Sequence, residues 1–268
     1  MEIKKYFFFS FFLCICLSFF GQIQPRYSLI AETQKKAIFI NIDKLGQVYA
    51  CDGTTLEKYD ADGNFAHAYS ALSFGEISFV DVTNPFKIMI FSKNFAKLLF
   101  LDTKLASQQS AYILSDLTIM PTCVCVSHDN GLWVYDKSVK QLFRYDAQYN
   151  LQNKSQILAN LVEDDIDPLF IKETDDGFLL VNDRQNGILV FDRFGTYLKL
   201  IPVFTDYFQV LNRQIMYVED NLLKFINIQN IQQGAMSLPE EGIKQLCLGT
   251  KKMIILDKDN RVKFYTME

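Results

Sequence analysis

Five acidic side chains stand at matching places in this sequence, each closing a short apolar run: Asp52 after QVYAC, Asp136 after LWVY, Asp183 after FLLVN, Glu219 after IMYV and Asp257 after MIIL. A sixth run, KIMIFS, is followed by Lys93 instead. Carboxylates gathered around one opening can attract a cation or a basic peptide. Facing each other across a cleft, a pair of them can serve as acid and base in glycoside or lactone chemistry. An Asp in a tight turn has a plainer use, because its side chain accepts hydrogen bonds from the backbone N–H groups of that turn. The sequence favours the plainer use for this set.

Other chemistries find less support. His67 and His128 are the only histidines; one lies in the strand-like NFAHAYS and the other in the turn SHDNG, so they are not expected to meet. Cys123, Cys125 and His128 loosely imitate a metal site, but zinc needs three or four ligands with a supporting shell, and no second cluster is visible. Cys123 and Cys125 lie two apart on a strand and share a face, which suits buried thiols better than a bond between them. A Cys51–Cys247 bridge is conceivable in an oxidising compartment. There is no nucleophile elbow, phosphate-binding glycine loop or His-Glu-x-x-His helix. DADGN from Asp60 resembles the start of a calcium loop without its later ligands. No cofactor is implied, and catalysis is the less favoured expectation.

The N-terminus reads as a targeting segment. Lys4 and Lys5 precede an apolar run from Tyr6 to Phe20, shorter than the roughly 20 residues of a spanning helix, with Gly21 offering a cleavage point. The expected division is therefore a signal peptide over 1–21 and one domain over 22–268, exported and without a membrane span after removal. The chain has 27 basic and 31 acidic residues, of which Lys4, Lys5 and Glu2 fall in that segment, leaving a formal charge of −5. With no basic stripe, nucleic acid is a poor partner.

The rest of the chain repeats. LEKYD, LLFLD, LFRYD, ILVFD, LKFIN and VKFYT close at positions 60, 102, 146, 192, 227 and 266, with separations of 42, 44, 46, 35 and 39 residues. Each copy follows one of the six runs above, and Gly, Asn or Asp turns such as DADGN, HDNGL and DRFGT separate the runs. The period suits a four-stranded propeller blade. The sixth copy stops after its third strand, whereas RYSLIAE (Arg26 to Glu32) stands alone before the first. The predicted fold is all-β: a six-bladed β-propeller in which the N-terminal strand completes the last blade and closes the ring.

VYACDGTTLEKYDADGNF (Val48 to Phe65) and LLVNDRQNGILVFDRFGTYL (Leu179 to Leu198) resemble the blades of six-bladed NHL-like propellers. The Phe-rich leader ending in FFGQ resembles Bacteroidetes export signals, which implies the periplasm or cell envelope. In a closed ring the loops bearing Asp52, Asp136, Asp183, Glu219 and Asp257 share one end and are expected around the channel mouth. The longest connection, LVEDDIDP (Leu161 to Pro168), adds Asp164 and Asp165, and nearby NDRQNG adds Arg184 and Asn186 as groups suited to a protein partner. IPVFTDYF (Ile201 to Phe208) is a rival aromatic patch.

Together these features point to an exported, non-catalytic propeller that binds another envelope protein. The signal's resemblance extends this to an accessory, plug-like subunit of an outer-membrane type IX secretion assembly. The alternative is a metal-assisted hydrolase or lyase with a carboxylate site at the channel mouth, which predicts a polar, open channel. Glycan binding through exposed Tyr and Trp133 is a third reading, although Trp133 lies within a strand expected to be core.

Overall fold

The computed structural model describes residues 26–268; the signal peptide expected over 1–21 lies outside the described residues. Among the described residues twenty-four strands form six four-stranded antiparallel sheets. The chain begins with β1 (Tyr27–Lys36). Blade one is β2 (Phe39–Ile42), β3 (Val48–Cys51), β4 (Thr55–Tyr59) and β5 (Phe65–Ser70). Blade two is β6 (Phe79–Asp81), β7 (Ile88–Ser92), β8 (Lys97–Leu101) and β9 (Tyr112–Ile113). Blade three is β10 (Pro121–Val126), β11 (Leu132–Asp136), β12 (Gln141–Tyr145) and β13 (Leu151–Lys154). Blade four is β14 (Phe170–Glu173), β15 (Phe178–Asp183), β16 (Gly187–Asp192) and β17 (Tyr197–Ile201). Blade five is β18 (Gln209–Leu211), β19 (Gln214–Glu219), β20 (Leu222–Asn227) and β21 (Gln233–Ser237). Blade six contains β22 (Ile243–Gly249), β23 (Lys252–Asp257) and β24 (Arg261–Met267), and its outer strand is β1.

The expected closure of the ring is observed, and it runs further than RYSLIAE. β1 pairs with β24 from Tyr27↔Met267 to Lys36↔Arg261. Arg26 and Glu268 exchange backbone hydrogen bonds of 3.1 and 3.0 Å. This pairing covers the free edge of β24, which would otherwise present unpaired N–H and C=O groups.

The second strands of blades one to three are buried along their whole length, and those of blades four and six are buried after a half-buried first residue, because each is sandwiched between two neighbouring blades. Period-two alternation then sends successive side chains to opposite interfaces. On β3, Tyr49 and Cys51 pack towards blade two while Val48 and Ala50 pack towards blade six. On β11, Trp133 and Tyr135 join the core with blade four while Leu132 and Val134 join that with blade two. Six apolar clusters result, one for each interface of a closed six-membered ring.

The repeated closing Asp has a local cause. At the turn from third to outer strand in blades one to four its Oδ1 accepts two backbone N–H bonds: Asp60 from Asp62 and Asn64, Asp102 from Lys104 and Ala106, Asp146 from Gln148 and Asn150, Asp192 from Phe194 and Thr196. The backbone three residues on is left-handed in all four, at Gly63, Leu105, Tyr149 and Gly195. The calcium-like DADGN is one of these turns, with Asp60 used by its own backbone.

Candidate binding face

The turns between second and third strands, together with the connections between blades, lie at one end of the ring. Asp52, Asp136, Asp183, Glu219 and Asp257 are all found there, one strand out from the innermost strands rather than on the channel itself.

Their side chains are largely occupied by that end's own structure. Asp52 Oδ1 accepts from Thr54 N (2.8 Å), Thr54 Oγ1 (2.9 Å) and Thr55 N (2.6 Å). Partial burial pushes its carboxyl up, but these bonds outweigh that and hold it below the usual range. Asp136 is buried. Its Oδ1 accepts from Ser138 N and Oγ, and its Oδ2 from Thr118 Oγ1, Ile119 N (2.8 Å) and Met120 N (3.2 Å). Burial opposes ionisation there, yet the hydroxyls of Ser138 and Thr118 and the backbone donors bring the carboxyl down to about 2. Asp183, also buried, accepts from Gln185 N, Asn186 N and Asn186 Nδ2 on one oxygen and from Asp167 N (2.8 Å) on the other. Asp257 accepts from Asp259 N and Arg261 N and lies 3.2 Å from Lys263 Nζ. Glu219 pairs with Lys224, which also holds Asp220 at 3.0 Å. Lys93 is exposed at the start of a short 3₁₀ turn, Lys93–Phe95.

Blades three and four bring one group of the predicted residues together. Asn186 is buried, and its Nδ2 donates to Asp183 Oδ1 (2.8 Å) and to the Asp165 carbonyl (3.3 Å), stapling the long acidic connection to blade four. From blade three, Lys140 pairs with Asp165 and Lys137 with Asp167 (2.7 Å). Asp164 is exposed. Arg184 points to Asp206 at 2.8 Å, both exposed. In the rival patch Phe208 is buried and Phe204 is exposed.

The channel holds the features that sequence reasoning missed. At this end Phe170 stacks with Phe79 across the ring (centroids 6.2 Å apart) and packs on Phe208 (4.9 Å) and Tyr207 (6.1 Å). Further along, Lys172 Nζ reaches Thr83 Oγ1 at 3.2 Å. Instead of the polar, open channel expected of a carboxylate site, this end is filled by aromatic rings. The innermost strands have free edges, and side chains pair them. Gln209 bonds both N–H and C=O of Leu248 (2.6 and 2.8 Å), Gln245 does the same for Ile40, and Asp81 Oδ2 accepts from Val126 N (2.9 Å). The signal was a single Gln or Asp on an innermost strand next to apolar residues. A crevice between blades five and six, lined partly by Tyr207, Met216, Tyr217 and Gln245, has a cavity volume of about 20 Å³, room for a water molecule and far below the size of small-ligand sites.

His67 lies on outer strand β5. His128 Nδ1 is 2.7 Å from buried Glu173, which also accepts from Trp133 Nε1 (2.8 Å), so the lone Trp is core with its N–H satisfied. Cys51, Cys123, Cys125 and Cys247 are free and buried. Cys51 packs towards blade two and Cys247 in the core between blades six and one, so the conceivable bridge between them is not formed. Burial pushes the Cys51, Cys123 and Cys247 thiols up to about 12.

No family model and no curated protein matches the chain. Solved structures do match in fold. The Pan2 WD40 domain of Neurospora crassa is 6% identical with a TM-score of 0.64, over 90% of this chain and 95% of that one. Virginiamycin B lyase of Staphylococcus aureus is 11% identical with a TM-score of 0.61, over 91% and 99%. A streptogramin B lyase is 13% identical with a TM-score of 0.58, over 91% and 88%. At these identities the likeness is one of architecture, and the chain is a six-bladed β-propeller.

Proposed function

We propose that this propeller is a non-catalytic platform that binds another protein in the cell envelope. The observation that carries the reading is that the two places a propeller enzyme would use are already filled. Aromatic rings occupy the channel end, and the turn carboxylates accept hydrogen bonds from their own loops. What this end offers outward is a set of exposed side chains on a rigid ring. The leader, with Lys4 and Lys5 before a Phe-rich run, supports export to the periplasm, and no helix among the described residues is long and apolar enough to cross a membrane. The Bacteroidetes-like leader and NHL-like blades extend the reading to an accessory, plug-like subunit of an outer-membrane type IX secretion assembly. Two lyases share the architecture, but a lyase or hydrolase site would need carboxylates released from their turns. The test is affinity purification of the tagged mature protein from detergent-solubilised envelopes, with mass spectrometry of what accompanies it. A stoichiometric outer-membrane partner supports the platform, and absence from every outer-membrane complex removes the secretion role.

A further inference from the structure

We infer that the end carrying these turns docks, across blades one to three, an apolar protein segment bearing Lys or Arg. The inference rests on the platform reading and adds the face and the chemistry of the partner.

Six large apolar side chains are exposed along this arc: Ile38, Leu72, Phe95, Ile119, Met120 and Val139, with Leu72 at 88% and Ile119 at 79% of full exposure. Isolated apolar side chains on a surface are ordinary, whereas a continuous patch marks a contact site. Short contacts join the loops that carry these six. A Cβ on Gly53 would lie 3.4 Å from Ile38 Cδ1 and 3.8 Å from Glu76. The turn holding Leu72 closes through Gly75 N to Ala71 O, and the Phe95 ring lies on Gly75, where a Cβ would come within 2.5 Å of it. Beside Phe95, Ala96 O accepts from Leu114 N at the start of the connection to blade three. That connection ends in Ile119 and Met120, whose N–H groups are held by Asp136, and Val139 stands in the Asp136 turn. At the opposite end Leu45, Phe86, Phe194 and Ile231 are exposed in separate turns, and Phe65 at the start of β5.

The charges around the arc choose the partner. Lys137 and Lys140 are neutralised by Asp167 and Asp165. Exposed Glu76, Asp116, Glu163 and Asp164 form no ion pair among the described residues, and Asp52 has only Lys35 near it, itself paired with Glu57, against exposed Lys36 and Lys93. An apolar surface with an acidic border attracts an apolar segment with basic flanks and repels an anionic lipid surface. Phe95 packs on Gly75 and the Ile119 backbone is tethered through Asp136, so little side-chain or loop entropy is lost on contact.

The test uses two fluorescein-labelled 18-residue helical peptides with identical Leu positions, one with Lys and one with Glu at the polar positions. Binding to the mature protein is read by anisotropy at 0.15 M salt. The Lys peptide should bind at least tenfold more tightly than the Glu peptide. The double variant Leu72→Glu/Ile119→Glu should weaken it at least tenfold, and Leu45→Glu/Phe194→Glu at the other end should leave it unchanged. Because all four positions are exposed, circular dichroism should show each variant folded. Equal affinity for both peptides, or loss only in the opposite-end variant, overturns the inference. So does flotation of the protein on phosphatidylcholine/phosphatidylglycerol vesicles, or a dimer seen by light scattering, if abolished by the Leu72/Ile119 variant. A stoichiometric envelope partner that persists with that variant overturns this face while leaving the platform standing.

Discussion

Replacing Asp136 by alanine separates a structural carboxylate from a free one. Five donors from Thr118, Ile119, Met120 and Ser138 converge on its two oxygens, and the residue is 2% exposed. Hydrogen bonds to a charged acceptor contribute roughly 1.5–3 kcal/mol each, less than additively when they share one group. Some of the released N–H groups will reach water, so the loss is about 3–5 kcal/mol, a large part of a domain's stability. A solvated surface carboxylate would change stability by about 0.5 kcal/mol or less. Trp133, the only Trp, lies on the same strand and is fully buried, so its fluorescence reports unfolding in urea. The acid limb gives a second reading. With the folded carboxyl at about 2 against an ordinary value of 3.8, the stabilisation is complete above the unfolded value and disappears as pH falls from about 4 towards 2. Asp136→Ala should lack that part of the acid loss. A change below about 0.5 kcal/mol with an unaltered acid limb would refute the reasoning.

Other outcomes follow from the ring itself. Phe170→Ala removes the ring that packs on Phe79, Tyr207 and Phe208 and should cost about 3–5 kcal/mol in urea unfolding. Gly63→Ala places a Cβ 2.6 Å from Ala31 Cβ on β1 at a backbone φ of +86°, so strain and overlap together should cost about 2–5 kcal/mol. A chain beginning at Ala37 lacks β1 and leaves β24 open; size-exclusion chromatography should show aggregation, relieved by a peptide of residues 26–36. Cys51, Cys123 and Cys247, buried with thiols held near 12, should resist a thiol reagent at pH 8 in the native protein and react once it is unfolded in urea.

Much of the architecture is written locally. Buried second and third strands, closing Asp residues and an unpaired N-terminal strand give blade number and closure because each is a short-range pattern with a long-range consequence. Blade two is harder to read: its outer strand is only Tyr112–Ile113, and its last turn takes left-handed backbone at Leu105, not at Gly. Blades three and five likewise use Tyr149 and Ile231 at positive φ, which hides the usual turn signal. The state of the carboxylates is legible only in part. Thr54 and Thr55 beside Asp52 are neighbours in sequence, but the donors Thr118 to Met120 precede Asp136 by 16 to 18 residues. Channel filling by Phe79 and Phe170, and the Gln245 clamp on Ile40 across 205 residues, depend on the ring having closed.

The most direct test of the platform is the composition of what accompanies the tagged mature protein out of gently solubilised envelopes, measured by quantitative mass spectrometry. The account predicts one envelope protein at a stoichiometric ratio, retained through a second purification step. Recovery as a lone monomer from every detergent tried, with no protein near equal abundance, would contradict it.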